Sequence, residues 1–109
     1  MRPVFRPATF DDLKTLVELE NECFTMDRLS LSSFRHFLRT ETSDLFVVIS
    51  QKILVGYYLL LFRQGTALAR LYSIAISPQM RGQGLGRSLM NHAIEQTRLR
   101  NKSYLRLEV

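Results

Sequence analysis

Residues 68 to 94, Leu-Ala-Arg-Leu-Tyr-Ser-Ile-Ala-Ile-Ser-Pro-Gln-Met-Arg-Gly-Gln-Gly-Leu-Gly-Arg-Ser-Leu-Met-Asn-His-Ala-Ile, decide how this chain is read. Leu68 to Ile76 has the composition of a strand, and Pro78 ends it. Arg81-Gly82-Gln83-Gly84-Leu85-Gly86-Arg87 is a turn. After it, Leu85, Leu89, Met90, Ala93 and Ile94 recur at helical spacing, which predicts an amphipathic helix over 84–99. Three glycines strip side chains from the start of that helix. Bare amides and the positive end of a helix dipole suit an anion, and Arg81 and Arg87 flank the place. The turn is therefore a phosphate or pyrophosphate cradle.

Working outward, Ser103 to Val109 alternates Tyr104, Arg106 and Glu108 against Leu105, Leu107 and Val109, and reads as a further strand. A strand-helix-strand unit over 68–109 makes its two strands parallel neighbours. Upstream, Asp44–Ile49 and Ile53–Phe62 are apolar runs separated by Ser50-Gln51-Lys52, which predicts a β-hairpin. Gly56 marks a bulge or a close backbone approach. Arg63 to Thr66 is the next turn, so the middle of the chain is an antiparallel meander. Thr9 is placed to cap a helix over 10–23, with Asp11 and Asp12 in its first turn. Ser30 caps a second helix, with Leu29 and Phe34 as a hydrophobic staple. Val4 and Phe5 make a short first strand over 3–6, closed by Pro7.

The totals set bounds. At 109 residues and 46% hydrophobic content, this is one domain with a true core. The run Val55 to Phe62 is strand-sized, and no stretch approaches the roughly 20 apolar residues of a membrane helix. The start, Met1 to Arg6, lacks the apolar segment of a signal peptide. Cys23 is the single cysteine, which leaves no internal disulfide and no multi-cysteine metal site. These features predict a cytoplasmic protein with no membrane partner. The net charge of +5 comes from 12 Arg and 3 Lys against 10 acids. It suits a small polyanion or nucleic acid. The basic residues are dispersed, which argues against a dedicated nucleic-acid footprint.

Three side chains have two readings. Glu20 falls on or near the apolar stripe of Leu13, Leu16 and Val17. It is read as a stripe-edge residue with a solvated carboxylate, because acids are seldom buried unpaired; a carboxylate facing a substrate channel is the alternative. Cys23 is read as a small core residue at a helix end, and His36 as a surface residue with no catalytic partners around it.

The turn lacks the Lys of a P-loop and the third-glycine offset of a dinucleotide fingerprint. What remains is Arg81-x-x-Gly84-x-Gly86 after Ile-Ala-Ile-Ser-Pro. That pattern resembles the pyrophosphate signature of the GNAT (Gcn5-related) N-acetyltransferases. The resemblance extends over the whole chain, in the order β-α-α-β-β-β-α-β. Glu22-Cys23-Phe24 and Leu107-Glu108-Val109 resemble the RimI-type branch, which acetylates protein N-termini. Cys23 to Ser30 also resembles acetyltransferase domains joined to a C39-like peptidase region in some bacterial proteins.

The resemblance implies an α/β (α+β) fold with strands 1 to 4 antiparallel and strand 5 parallel to strand 4, and residues 1–109 as a single N-acetyltransferase domain. It implies acetyl transfer from acetyl-CoA to a primary amine, a peptide N-terminus or a small amine, without a metal; the other reading is an acyl-CoA sensor without turnover. Ile74, Ala75 and Ile76 would lie along the pantetheine arm. Arg81, Gly82, Gln83, Gly84, Leu85, Gly86 and Arg87 would hold the pyrophosphate. Glu108 matches the branch's general base, against its reading as an ordinary exposed strand residue, and Tyr72 is pocket wall or packing. Family members continue with a helix, a thiolate-protonating tyrosine and two further strands. Read as C-terminally truncated, the chain is expected to expose an apolar edge at strand 5 that favours a homodimer.

Overall fold

A computed structural model describes residues 3–109. Met1 and Arg2, the first two residues of the stretch read above for a leader, lie outside the described residues. Five strands form one sheet in the order β1-β2-β3-β4-β5: β1 Val4–Pro7, β2 Ser43–Ser50, β3 Ile53–Phe62, β4 Leu68–Ile76 and β5 Tyr104–Leu107. β1 to β4 pair antiparallel, and β5 is parallel to β4. Helices α1 (Leu13–Cys23) and α2 (Leu31–Arg39) cover one face, and α3 (Leu85–Leu99) covers the other. The expected α/β topology is the one observed.

Period-2 alternation along β2 and β3 sends residues to two cores. Leu45, Val47, Tyr57 and Leu59 pack with Leu13, Leu16, Leu19 and Phe34 beneath α1 and α2. Val48, Tyr58, Leu60 and Leu71 pack with Leu85, Leu89 and Ala93 beneath α3. Burial on both faces explains why β3 reads as a continuous apolar run.

The first turn of the predicted helix 10–23 differs from expectation. Phe10–Asp12 is a 3-10 turn, and the α-helix starts at Leu13. Thr9 does cap this turn: the Asp12 carboxylate accepts from the Thr9 amide at 2.8 Å, half of a capping box, and also takes two bonds from the Arg6 guanidinium, at 2.7 and 2.9 Å. The Arg6 bonds hold the Asp12 carboxyl below its ordinary value and tie β1 to α1. Ser30 does cap α2, its hydroxyl accepting from the Ser33 amide at 3.1 Å. The last strand is shorter than the predicted 103–109. Pairing ends at Leu107, and Glu108 lies just beyond it, though its amide still donates to the Leu71 carbonyl at 3.0 Å.

Gly56 satisfies both of its readings. The β2–β3 register slips beside it, between Val48 and Ile49, leaving Val55 as the extra residue. A Cβ on Gly56 would stand 2.9 Å from the Ala75 carbonyl oxygen and 3.0 Å from a Val48 methyl. A backbone oxygen cannot yield as a side chain does. Gly56→Ala is therefore expected to destabilise the protein by about 2 kcal/mol through overpacking, read as a lower midpoint in urea unfolding. An unchanged midpoint would show that β3 and β4 are not held this closely.

Candidate active site

The site begins where β4 and β5 part. Their pairing runs only from Leu68 to Leu71 on β4. On the other side of β4, Leu60 pairs with Leu71 while Leu59 pairs with Ser73, so Tyr72 is a bulge with no partner. A bulge bends its strand and sharpens its twist, and here the bend coincides with the end of the β5 ladder. Past it, β4 has a free edge. The Ser77 amide donates to the Val55 carbonyl at 2.8 Å. That bond makes Gly56–Ile76 the non-hydrogen-bonded kind of pair, so the amide and carbonyl of Ile76 face the open edge, and by alternation those of Ile74. Ile74, Ala75 and Ile76 thus lie along a strand edge able to accept an extended ligand, with the Ile76 carbonyl itself already taken within the protein.

The free edge leads to the glycine turn. Gly82 and Gly84 have φ of +80° and +81°, values that L side chains rarely adopt. Gly86 differs: it has no left-handed backbone, and a Cβ there would only touch the Ile76 δ-methyl, at 3.4 Å. No side chain caps α3. The amides of Leu85, Gly86 and Arg87 lie in the first turn, where a helix offers them no internal acceptor. Gln83, Gly84 and Arg87 are exposed around them. Arg81 folds back, its Nε donating to the Ile76 carbonyl at 3.3 Å. The Cys23 thiol donates to that same oxygen at 3.3 Å, so α1 is stitched to the end of β4. Burial pushes the Cys23 thiol up, away from the thiolate form. His36 is exposed on α2.

Two cavities open along this edge. One, of 280 Å³, is walled by Cys23, Phe24, Ile74, Ala75, Ile76 and Arg81. The other, of 350 Å³, is walled by Glu20, Phe24, Met26, Tyr72, Ser73 and Glu108 among others. Phe24 and Ile74 border both, which makes them two ends of one groove. Tyr72 is a wall of it.

The solvated reading of Glu20 is overturned. Glu20 is 1% exposed. The Tyr57 hydroxyl donates to its Oε1 at 2.6 Å, and the Leu29 amide donates to its Oε2 at 2.8 Å. Since the phenolic proton goes to Glu20, the Ser73 hydroxyl must donate to the Tyr57 oxygen, 2.6 Å away. Burial is the main force pushing the Tyr57 hydroxyl above its ordinary value, and the Glu20 bond adds to it. One buried carboxyl group therefore joins α1, β3, the bulge of β4 and the loop between α1 and α2. Its place on the α1 stripe was the available signal; Tyr57 and Ser73 carried none in sequence.

Glu108 sits at the mouth of the groove. It accepts two bonds from the Arg70 guanidinium, both 2.8 Å, and one from the Arg106 Nε at 2.9 Å. The Arg70 bonds, with help from Arg106, hold its carboxyl down at about 2. A base acting directly on an amine needs the opposite shift. Among the described residues, no group of His, Cys, Asp and Glu is arranged to hold a metal.

Fold and site together give a bulged strand splayed from its parallel neighbour and ending at an uncapped helix with a glycine turn. The profile described as "Acetyltransferase (GNAT) family" matches residues 13–109, and the chain belongs to that family of acetyl-CoA-dependent acetyltransferases. Solved structures share the fold. The ribosomal-protein-S18-alanine N-acetyltransferase of Escherichia coli superposes with a TM-score of 0.85 at 23% identity, over 99% of this chain and 67% of that one. The PaiA N-acetyltransferase of Thermoplasma acidophilum, solved with coenzyme A, gives 0.88 at 17% identity, over 100% and 80%. A spermidine N-acetyltransferase SpeG chimera from Vibrio cholerae and hSSAT gives 0.82 at 23%, over 98% and 70%. No curated protein matches by sequence. Among the described residues, no helix is long and apolar enough to cross a membrane.

Proposed function

We propose that residues 1–109 are one N-acetyltransferase domain of the RimI type, cytoplasmic, which transfers acetyl from acetyl-CoA to a primary amine, a peptide N-terminus above all. One observation carries the reading: the free edge of β4 runs from the Tyr72 bulge straight to the uncapped amides at Gly84–Arg87. The pyrophosphate rests on Gly82 to Arg87, where the dipole and Arg87 favour it. The pantetheine arm adds to the Ile74–Ile76 edge. The thioester then lies near the bulge, and a free β4 amide donates to the oxyanion as the carbonyl becomes tetrahedral. The acceptor enters through the Glu20–Tyr72–Glu108 cavity. Its nitrogen forms the new C–N bond, the C–S bond breaks, and the amine's proton ends on the departing sulfur. With its low proton affinity, Glu108 serves through a bridging water or by attracting the cationic amine. The edge of β5, with Tyr104, Leu107 and Val109 more than half exposed, is where a second copy would pair.

Calorimetry with coenzyme A and a thiol-release assay over a peptide library test this reading. Micromolar binding with turnover is the expected result; binding without turnover favours a sensor, a reading the doubly paired Glu108 also fits. The pH profile is a sharper check. A carboxyl lowered to about 2 from an ordinary 4.5 stays ionised at every working pH. Hence kcat/KM should show no limb from Glu108 between pH 5 and 9, only the rise as the acceptor amine loses its proton. The stability that its ion pairs add is full above the ordinary value and fades as pH falls toward 2. A limb near pH 6 that vanishes in Glu108→Gln would contradict this assignment.

A further inference from the structure

A third cavity, of 520 Å³, opens beside the groove and is walled by Arg63, Arg70 and Arg106 with Thr42, Gln64 and Thr66. Arg70 and Arg106 are the residues that hold Glu108 in the acceptor cavity, so the two cavities share one wall. Both open on the α1/α2 face of the sheet, since Arg70, Tyr72, Arg106 and Glu108 lie on that side. Among the described residues, Glu108 is the only acid bonded to this cluster, and it is divided between two guanidinium groups. Arg63 has no carboxylate partner among the ion pairs of the described residues. Its turn is fixed: Lys102 Nζ donates to the carbonyls of Arg63 and Thr66, at 3.1 and 2.8 Å, and brings a further cation. The cavity thus carries a surplus of positive charge on a rigid frame.

We infer that this cavity is a subsite for an acidic side chain of the acceptor peptide, close behind the reacting amine. The inference rests on the proposed function, which places that amine beside Tyr72 and Ser73. Arg70 precedes Tyr72 by two residues, about 7 Å along an extended strand. A peptide laid beside the sheet therefore brings its second to fourth residue over Arg63, Arg70 and Arg106. A guanidinium fork matches a carboxylate in shape and charge. A nucleic-acid strand would ask for a row of cations along a surface; here three guanidinium groups gather around one hollow.

The test uses fluorescein-labelled hexapeptides with a free N-terminus and Glu, Gln or Lys at the third residue, read by anisotropy with coenzyme A saturating. The Glu peptide should bind at least ~10-fold tighter than the Gln peptide, as a charge-assisted bond allows. Arg63→Glu should bring the two within about twofold while coenzyme A affinity stays unchanged, because Arg63 is exposed on a turn away from the glycine loop. Equal affinities for Glu and Gln in the wild type would overturn the inference. So would a single-stranded RNA hexamer that displaces the Glu peptide at lower concentration than unlabelled Glu peptide does. Binding is read without turnover. A Glu preference without acetyl transfer would strike the proposed function alone, and acetyl transfer without a Glu preference would strike the subsite alone.

Discussion

Gly84→Asp is expected to lower coenzyme A affinity at least ~100-fold, about 2.8 kcal/mol of binding. Gly84 is the residue before α3, at φ +81°, and a Cβ there meets nothing within 4 Å. Asp and Asn tolerate left-handed backbone better than other side chains, so the protein should still fold, at a cost of about 1 kcal/mol. The new carboxylate would sit over the amides of Leu85, Gly86 and Arg87 as a permanent substitute for a phosphate. It would both occupy those donors and repel the incoming anion. Gly84→Asn is the control, with the same shape and no charge. Calorimetry should find Asn far less damaging than Asp. Equal losses would mean that the glycine is there for its backbone conformation and not for anion recognition.

Glu20→Ala should cost about 3 kcal/mol of folding stability, a fall in Tm on the order of 10 °C. The change removes the acceptor for Tyr57 and for the Leu29 amide at once. The Leu29 amide then faces burial without a partner, the Tyr57 hydroxyl keeps only Ser73, and a hollow replaces the side chain. The loss has a position as well as a size. Leu29 precedes α2, so the loop over the acceptor cavity loses its tie, while Ser73 after the bulge stays bonded to Tyr57. Glu20→Gln keeps one acceptor oxygen, for either Tyr57 or Leu29, and should recover roughly half of the stability. Thermal unfolding of the two variants checks this. Identical melting of Ala and wild type would mean the network stabilises nothing.

The legible parts were those set by local rules. The hairpin, the meander and the strand-helix-strand unit follow from periodicity and turn residues. Gly82 and Gly84 were readable as turn glycines because the turn before α3 needs left-handed backbone, at φ +80° and +81°. Ser30 was readable as a cap because capping is a contact between near neighbours, here Ser30 and Ser33. Asp12 shows the limit: it closes the capping box with Thr9 that its position implies, but its ion pair with Arg6 from β1 was not readable. Glu20 shows the limit more sharply. A general rule keeps acids out of cores, and only the arrival of Tyr57 from β3 and of the Leu29 amide makes its burial tolerable.

By itself, then, the sequence determined the topology, the glycine turn before α3 and the family, because these depend on spacing along one chain. The tertiary structure alone decided what each carboxylate can do. Glu20 is buried by partners 9 and 37 residues away, and Glu108 is held down by Arg70 from 38 residues away. It also placed Arg63, Arg70 and Arg106 around one hollow. Such meetings join residues far apart in sequence, and no periodicity encodes them.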